Sequence, residues 1–477
     1  MRPIIMGATA LSNRTSARSI RYADAGRKDW LPRFIRRYRA RTRASRNMAI
    51  SSESLADPLK PVTLDQTLRA ICYPLFAARC GGSQFEDVDS NQYVDFCMGF
   101  GSALFGHAPP FLRRAIREQA ERGFMVGPQS ELAGEVADLI VGMTGMDRVV
   151  FACSGTEAVM LAIRLARTAT FRERIAFFTG SYHGQYDATL AWLDPTQATP
   201  QAVPIAPGIP PRLVEGALVL PYGADESLAV IRQHRDELAA VLVEPLQSRQ
   251  PGLSPHAFLQ ELRKLTADAG IALIFDEMIT GFRLAPGGAQ AWFGVPADLA
   301  IYGKVMSGGL PLAAVAGRTL YMNAIDGGAW KFAESDAVPP LCTFSSSSFA
   351  RNPLVLAAAR AVLLQLRRRG PRLQNELNRR ASTLTARINS CLDEEGISLR
   401  WASSGSFFGP AGPNDSCSPA VRLLHYLLAE RGFFLWGATG FLSAAHSSKE
   451  LDNFCSTFRQ TIQCLKRAGM IPAASLD

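Results

Sequence analysis

IALIFDEMITGF (271–282) and AIYGKVMSGG (300–309) are the stretches whose reading decides the fold. Each opens as a short, continuous apolar run, the pattern of a strand buried on both faces. The first stops abruptly at Asp276 and Glu277, and the second at Lys304 among glycines. Working outward, VVFAC (149–153), RIAFFTG (174–180), ALVLPY (217–222), AAVLVEP (239–245), IALIFDE (271–277), LAIYG (299–303) and AAVAGR (313–318) alternate with helical patterns. The alternation predicts a mostly parallel α/β sheet of seven strands covered by helices, with ligands gathering at the strands' carboxyl ends.

SQFEDVDSNQYVDFCMGFG (83–101) predicts a hairpin with an Asp-Ser-Asn turn. PPFLRRAIREQAER (109–122) and ELAGEVADLIVGMTG (131–145) predict helices, the second ending in glycine. After about 340 the pattern changes to a long helix (352–370), mixed segments and a last helix near 448–468, which reads as a smaller α+β domain.

The chain has 477 residues, 47% apolar and 19% charged, an ordinary globular composition with room for two or three packed units. No apolar run reaches the ~18–20 residues that span a bilayer. The nine cysteines are scattered, with no CxxC and no Cys/His cluster, so no metal site is expected and a reducing, cytoplasmic location is.

The net charge of +9 is concentrated at one end: residues 1–47 hold 13 Lys or Arg against Asp24 and Asp29, leaving −2 for the rest. Within them WLPRFIRRYRA (30–40) sets Trp30, Phe34, Ile35 and Tyr38 at helical spacing. That pattern suits a basic amphipathic helix for a membrane surface or nucleic acid, or a targeting segment. The plainer expectation is a disordered extension, or a true start at Met48, so that a chain beginning there folds and turns over normally.

Four features sit at strand ends. FACSGTEAVMLAIRLART (151–168) is a strand, then Ser154, Gly155 and Thr156, then a helix. Free helix amides and two hydroxyls make an anion cradle, although Ser-Gly-Thr also serves simply as an N-cap. SYHGQYDAT (181–189) offers Tyr182 and His183 beside a glycine, suited to stacking on a flat ring or to ordinary loop packing. Asp276 closes so apolar a strand that an ionised carboxylate there needs a partner, unless it only caps the next helix. Lys304 is either a solvated strand end or an amine tuned by partial burial to form a Schiff base. A phosphate cradle, a stacking aromatic, a buried acid and such a lysine are together what pyridoxal phosphate requires.

From about 60 to 470 the chain resembles a class III aminotransferase of the fold type I pyridoxal phosphate enzymes, in the glutamate-1-semialdehyde aminomutase branch. FDEMITGFR followed by GGAQAWFGVPADLAIYGKVMSGGLP carries that likeness. The resemblance implies catalytic roles for Lys304 as the Schiff-base lysine, for Asp276 as the partner of the pyridine nitrogen, and for Glu244 in VEPLQS as an active-site acid. It implies phosphate binding by Ser154, Gly155 and Thr156, ring stacking by Tyr182 with His183 nearby, and a homodimer. In such a dimer Ser348, in SSSSFARNP (345–353), stands where relatives have a threonine that completes the partner's phosphate site, and Arg351 replaces a glycine. Ile279 stands where many members have Gln. Phe441, in GATGFLSAAHS (437–447), stands where many have a carboxylate-gripping arginine, as in the aminomutase branch, which points to acceptors without an adjacent carboxylate.

GPQSELAGEVADLI (127–140), LVEPLQSRQPGLSP (242–255) and FARNPLVLAAARAVL (349–363) look similar to aminotransferase domains of polyketide and nonribosomal peptide assembly lines. The expectation drawn is an aminotransferase of secondary metabolism. It moves an amino group from an amino acid donor to an aldehyde or ketone acceptor, in some cases on an acyl carrier protein. The alternatives are a glutamate-1-semialdehyde 2,1-aminomutase and, remotely, a non-catalytic regulator of the same fold. Nucleic acid is not expected as a partner, nor a membrane except through the basic tail. The expected organisation is a basic extension (1–50), a segment joining the small domain (51–115), a large cofactor domain (116–340) and a small C-terminal domain (341–477).

Overall fold

The structure is a computed structural model and describes residues 27–56, 68–194, 202–248, 250–253, 255–328, 341–412 and 418–471. The chain divides into two compact units, one of 110–248 and 253–376, the other of 1–109, 249–252 and 377–477.

The larger unit holds a seven-stranded sheet in the order Arg148–Ala152, Ala313–Gly317, Leu299–Tyr302, Ala272–Asp276, Leu238–Val243, Arg174–Phe178, Ala217–Leu220. Six strands run the same way, and Ala313–Gly317 is antiparallel to both neighbours. Leu238–Val243, Ala272–Asp276 and Leu299–Tyr302 are buried at every position, which is why they read as unbroken apolar runs. The Gly155–Thr170 helix buries Ala158, Val159, Ala162, Ile163 and Ala166 in a core shared with Ala240, Leu242, Ala272, Ile274, Leu299 and Ile301. Side chains alternate along a strand, so Glu244 and Asp276 continue the rows of Leu242 and Ile274 on that helix's face, and Glu277 falls on the opposite face.

The Pro353–Arg369 helix buries Leu356, Ala358, Ala359, Val362 and Leu363 and packs on Pro110–Arg122 and Leu132–Thr144, all within this unit. It therefore groups with the large unit, although the composition change near 340 suggested a boundary ahead of it.

The smaller unit carries a sheet of Ala77–Gly81, Gln84–Asp87, Gln92–Asp95 and Phe433–Phe434, in which the expected hairpin supplies the middle strands. Trp401–Ser404, Phe407–Pro410 and Gly440–Phe441 form a second sheet, and Pro419–Glu430 and Ser448–Arg467 are helices. Phe441 is buried, its ring 5.5 Å from that of Phe407.

The basic segment departs from the disordered extension expected of it. Residues 1–26 lie outside the described residues, but Arg27–Arg41 and Arg43–Ser51 are helices. Phe34 and Tyr38 are 0% and 2% exposed, and the Tyr38 ring meets that of Tyr426 edge-on at 5.5 Å. Thr42 donates to Tyr38 O and accepts from the Tyr73 hydroxyl at 2.6 Å, and Asp89 accepts the amides of Ala44 and Ser45. The apolar face that suggested a membrane contact is thus covered by the protein's own aromatic residues. Among the described residues no helix is long and apolar enough to cross a membrane.

Candidate active site

Strand register brings the predicted residues to one edge of the large sheet. Asp276 pairs with Ile301 on one side, so Lys304 follows three residues beyond that level. On the other side Phe275 pairs with Val243, which sets Glu244 beside Asp276. Asp276 and Glu244 are 3% and 6% exposed.

Ser154 caps the sixteen-residue Gly155–Thr170 helix, and its Oγ accepts the Glu157 N–H at 3.2 Å. Thr156 Oγ1 accepts the Gln185 N–H at 3.0 Å. Each hydroxyl spends a lone pair on a backbone amide and keeps its proton, so each can still donate a hydrogen bond. Gly184 makes the Thr156 contact possible, since a Cβ there would come 2.5 Å from Thr156 Oγ1 and its φ is +79°. The helix N-terminus adds positive potential at the same place.

The Asp276 carboxylate is held from two sides: Oδ2 lies 2.8 Å from His183 Nδ1, and Oδ1 accepts the Met278 N–H at 3.2 Å. A carboxylate accepts, so His183 carries its proton on Nδ1. Its buried Nε2 has no hydrogen-bond partner among the described residues. Glu244 accepts the amides of Tyr182 (3.3 Å) and Ser248 (2.9 Å), and burial first, then neighbouring Asp276, raises its pKa above the usual carboxylate value. Tyr182 thereby has its backbone fixed while its side of the loop stays about half exposed.

Lys304 opens a short helical turn through Ser307 and itself takes a left-handed φ of +42°. A lysine in that region is uncommon and marks a backbone held by its surroundings. Gly303 before it has to be small: a Cβ would meet Met278 Cε at 2.5 Å, and one on Gly155 would meet the same methyl at 3.1 Å. Met278 therefore lies against both the Ser154–Thr156 turn and the end of the strand that leads into Lys304. Nothing in the sequence marked it, because its importance comes from two glycines far away in the chain.

Glu277 is fully buried, accepting the amides of Ala289 and Gln290 and the Thr280 hydroxyl. Burial pushes its pKa up to about 7. It serves to tie down the loop after the strand, on the face away from Asp276. Ile279 is half-buried in that loop. Ser348 is exposed, while its neighbour Ser347 turns inward to Glu157 and Cys153. Ser154, Gly155, Thr156, Tyr182, His183, Glu244, Asp276 and Lys304 are thus brought to one strand edge, with Ser348 on a segment tied to the cradle turn. Sequence reasoning missed Met278, Glu157 and Ser347.

The aminotransferase class-III family model matches residues 68–409. A glutamate-1-semialdehyde 2,1-aminomutase of Methanosarcina acetivorans is 35% identical over 425 residues, 85% of this chain and 96% of that protein. An omega-transaminase structure from Sphaerobacter thermophilus is 32% identical with a TM-score of 0.78, covering 88% of this chain and 97% of that one. A glutamate-1-semialdehyde-aminomutase structure from Pseudomonas aeruginosa PAO1, 23% identical with a TM-score of 0.78 over 93% of this chain and 99% of that one, shares the fold. Seven strands with this edge chemistry, and relatives along nearly their whole length, lead to one conclusion: the chain belongs to the class III aminotransferases, pyridoxal-phosphate-dependent enzymes of fold type I.

Proposed function

We propose that this protein is a glutamate-1-semialdehyde 2,1-aminomutase, which moves an amino group between neighbouring carbons of one small substrate. The observation that carries this reading is the 35% identity along 96% of the Methanosarcina acetivorans enzyme. Phe441 supports it, because a phenyl ring packed on Phe407 stands where an arginine fork would grip a donor's α-carboxylate.

The residues present fit the cofactor. Two hydroxyls that can still donate at a helix N-terminus suit its phosphate, and a buried acid backed by an imidazole suits its ring nitrogen. When bound, pyridoxal phosphate supplies a protonated ring that draws electrons from the bond broken at the substrate's amine-bearing carbon. Ser154, Gly155 and Thr156 hold the phosphate, and Tyr182 covers the ring. Asp276 keeps a proton on the ring nitrogen, and His183 holds that carboxylate in place through Nδ1. Lys304 would anchor the cofactor, and its Nζ, once released, would hold and pass on the proton that the amine-bearing carbon loses or gains as the amino group moves by way of the cofactor. Glu244 steadies the Tyr182 backbone. The protein works in the cytoplasm as a homodimer, in which Ser348 donates to the partner subunit's phosphate site.

Purified enzyme given glutamate-1-semialdehyde alone is expected to form 5-aminolevulinate with no amino donor. A strict need for an added amino acid and a carbonyl acceptor would replace this reading by the intermolecular aminotransferase, which the likeness to the Sphaerobacter thermophilus omega-transaminase favours. The assembly-line and carrier-bound role finds no support among the relatives described above.

A further inference from the structure

One carboxylate ties the phosphate-cradle turn to a stretch of chain 190 residues away. Glu157 Oε2 accepts the Cys153 N–H at 3.0 Å and the Ser347 hydroxyl at 3.2 Å. The Glu157 N–H in turn donates to Ser154 Oγ at 3.2 Å. Cys153 Sγ lies 3.1 Å from Ser347 Oγ. Because a carboxylate only accepts, the Ser347 proton points at Glu157, and the thiol is left as donor to Ser347 Oγ. The chain of bonds has one sense, from Cys153 through Ser347 to Glu157. Arg164 adds a second tie by donating to Phe344 O at 2.6 Å.

A glutamate at this position of a helix ordinarily reaches back to the N-cap amide. Here it reaches one residue further and gives its remaining capacity to Ser347, which helix capping does not require. A carboxylate beside an anion site also repels the anion unless donors neutralise it.

We propose that Glu157 and Ser347 are positioning residues that latch the Thr343–Ser348 segment onto the phosphate-cradle turn, so that phosphate affinity and the order of that segment depend on one shared carboxylate. This rests on reading Ser154–Thr156 as the phosphate site. Removing the Ser347 hydroxyl leaves the carboxylate one donor short next to the phosphate and releases the segment.

The test uses the full-length protein in two arms, amide hydrogen exchange over 341–349 without cofactor and re-titration of pyridoxal phosphate into dialysed enzyme. Ser347→Ala is expected to speed exchange of the segment at least fivefold and to raise the cofactor Kd about tenfold, the order expected for losing a hydrogen bond to a charged group. Ser347→Thr keeps a hydroxyl and restores both. Adding Ser347→Ala to Glu157→Ala should change neither readout further, since the two act as one unit. Wild-type exchange in Ser347→Ala overturns the latch, and so does faster exchange with a Kd within twofold of wild type. If the wild-type protein binds no pyridoxal phosphate, the phosphate reading falls, and the exchange arm by itself still decides whether the latch exists.

Discussion

The carboxyl edge of the large sheet and the N-terminal helices of the smaller unit treat charge in opposite ways. At the sheet edge three acids, Asp276, Glu277 and Glu244, are withdrawn from water, and backbone amides or an imidazole meet their oxygens. On the helices aromatic rings are buried, and Arg36, Arg39 and Arg43 point into solvent. Position matters for each polar atom in the first region, whereas in the second the rings do the holding and the charges on the exposed face are interchangeable. Substituting a single charged side chain should therefore be severe at the edge and nearly silent on the solvent-exposed face of the helices.

The largest effect is expected at Lys304. Lys304→Ala removes both the anchoring amine and the proton carrier, so turnover should fall by at least about a thousandfold, within the range of general acid–base contributions. Unchanged turnover together with an unchanged visible cofactor absorbance would remove Lys304 from the chemistry.

Next comes loss of the aromatic anchors. Phe34→Ala should cost about 3–5 kcal/mol of stability, as for other buried phenyl groups. A chain beginning at Met48 should lose more, since Phe34, Tyr38 and the Thr42–Tyr73 bond go together. Denaturant unfolding would show it, and a fully stable truncation would mean that these helices pack without contributing.

Glu277 gives a third, pH-dependent effect. Its folded pKa of about 7 lies above the ordinary 4.5, so the folded state prefers the protonated form. This group's contribution is complete below about pH 4.5 and is lost as pH rises through 7, on the order of 3 kcal/mol at about 1.4 kcal/mol per unit. Glu277→Gln places a donor against the amides of Ala289 and Gln290 and should cost about 2 kcal/mol at pH 5. The gap should narrow towards pH 8, because only the wild type loses stability across that window. A gap that widens would show that the buried carboxyl is ionised throughout.

These contrasts also explain what was legible in the sequence. The seven strands could be read because burial on both faces leaves no polar residue to break the apolar run, and a charged residue ending such a run stands out. Asp276 and Lys304 were found that way. The reversed direction of Ala313–Gly317 leaves no trace in composition, and the Pro371–Glu394 helix is too rich in Arg and Asn for its apolar stripe to show. Phe34 and Tyr38 were visible at helical spacing, but the arginines around them matched other uses of a basic helix equally well. What covers their face, Tyr73 and Tyr426, is distant in sequence, as Ser347 is from Glu157.

The smallest predicted effect tests the comparison most directly. Arg37 pairs with Glu430 at 3.0 Å, but its side chain is 55% exposed, so water and salt screen the pair. Arg37→Ala should cost under about 1 kcal/mol, less still at high salt, and Arg36→Gln with Arg39→Gln should be silent within about 0.5 kcal/mol. If either exceeded the cost of Glu277→Gln, charge and not aromatic burial would be holding the helices. The Arg37 effect should also vanish in an Arg37→Ala, Glu430→Ala double variant, whereas no second substitution at the sheet edge replaces the acceptor that Ala289 and Gln290 lose. An exposed charge has water as a substitute partner, and a buried one has only the groups the fold has placed beside it.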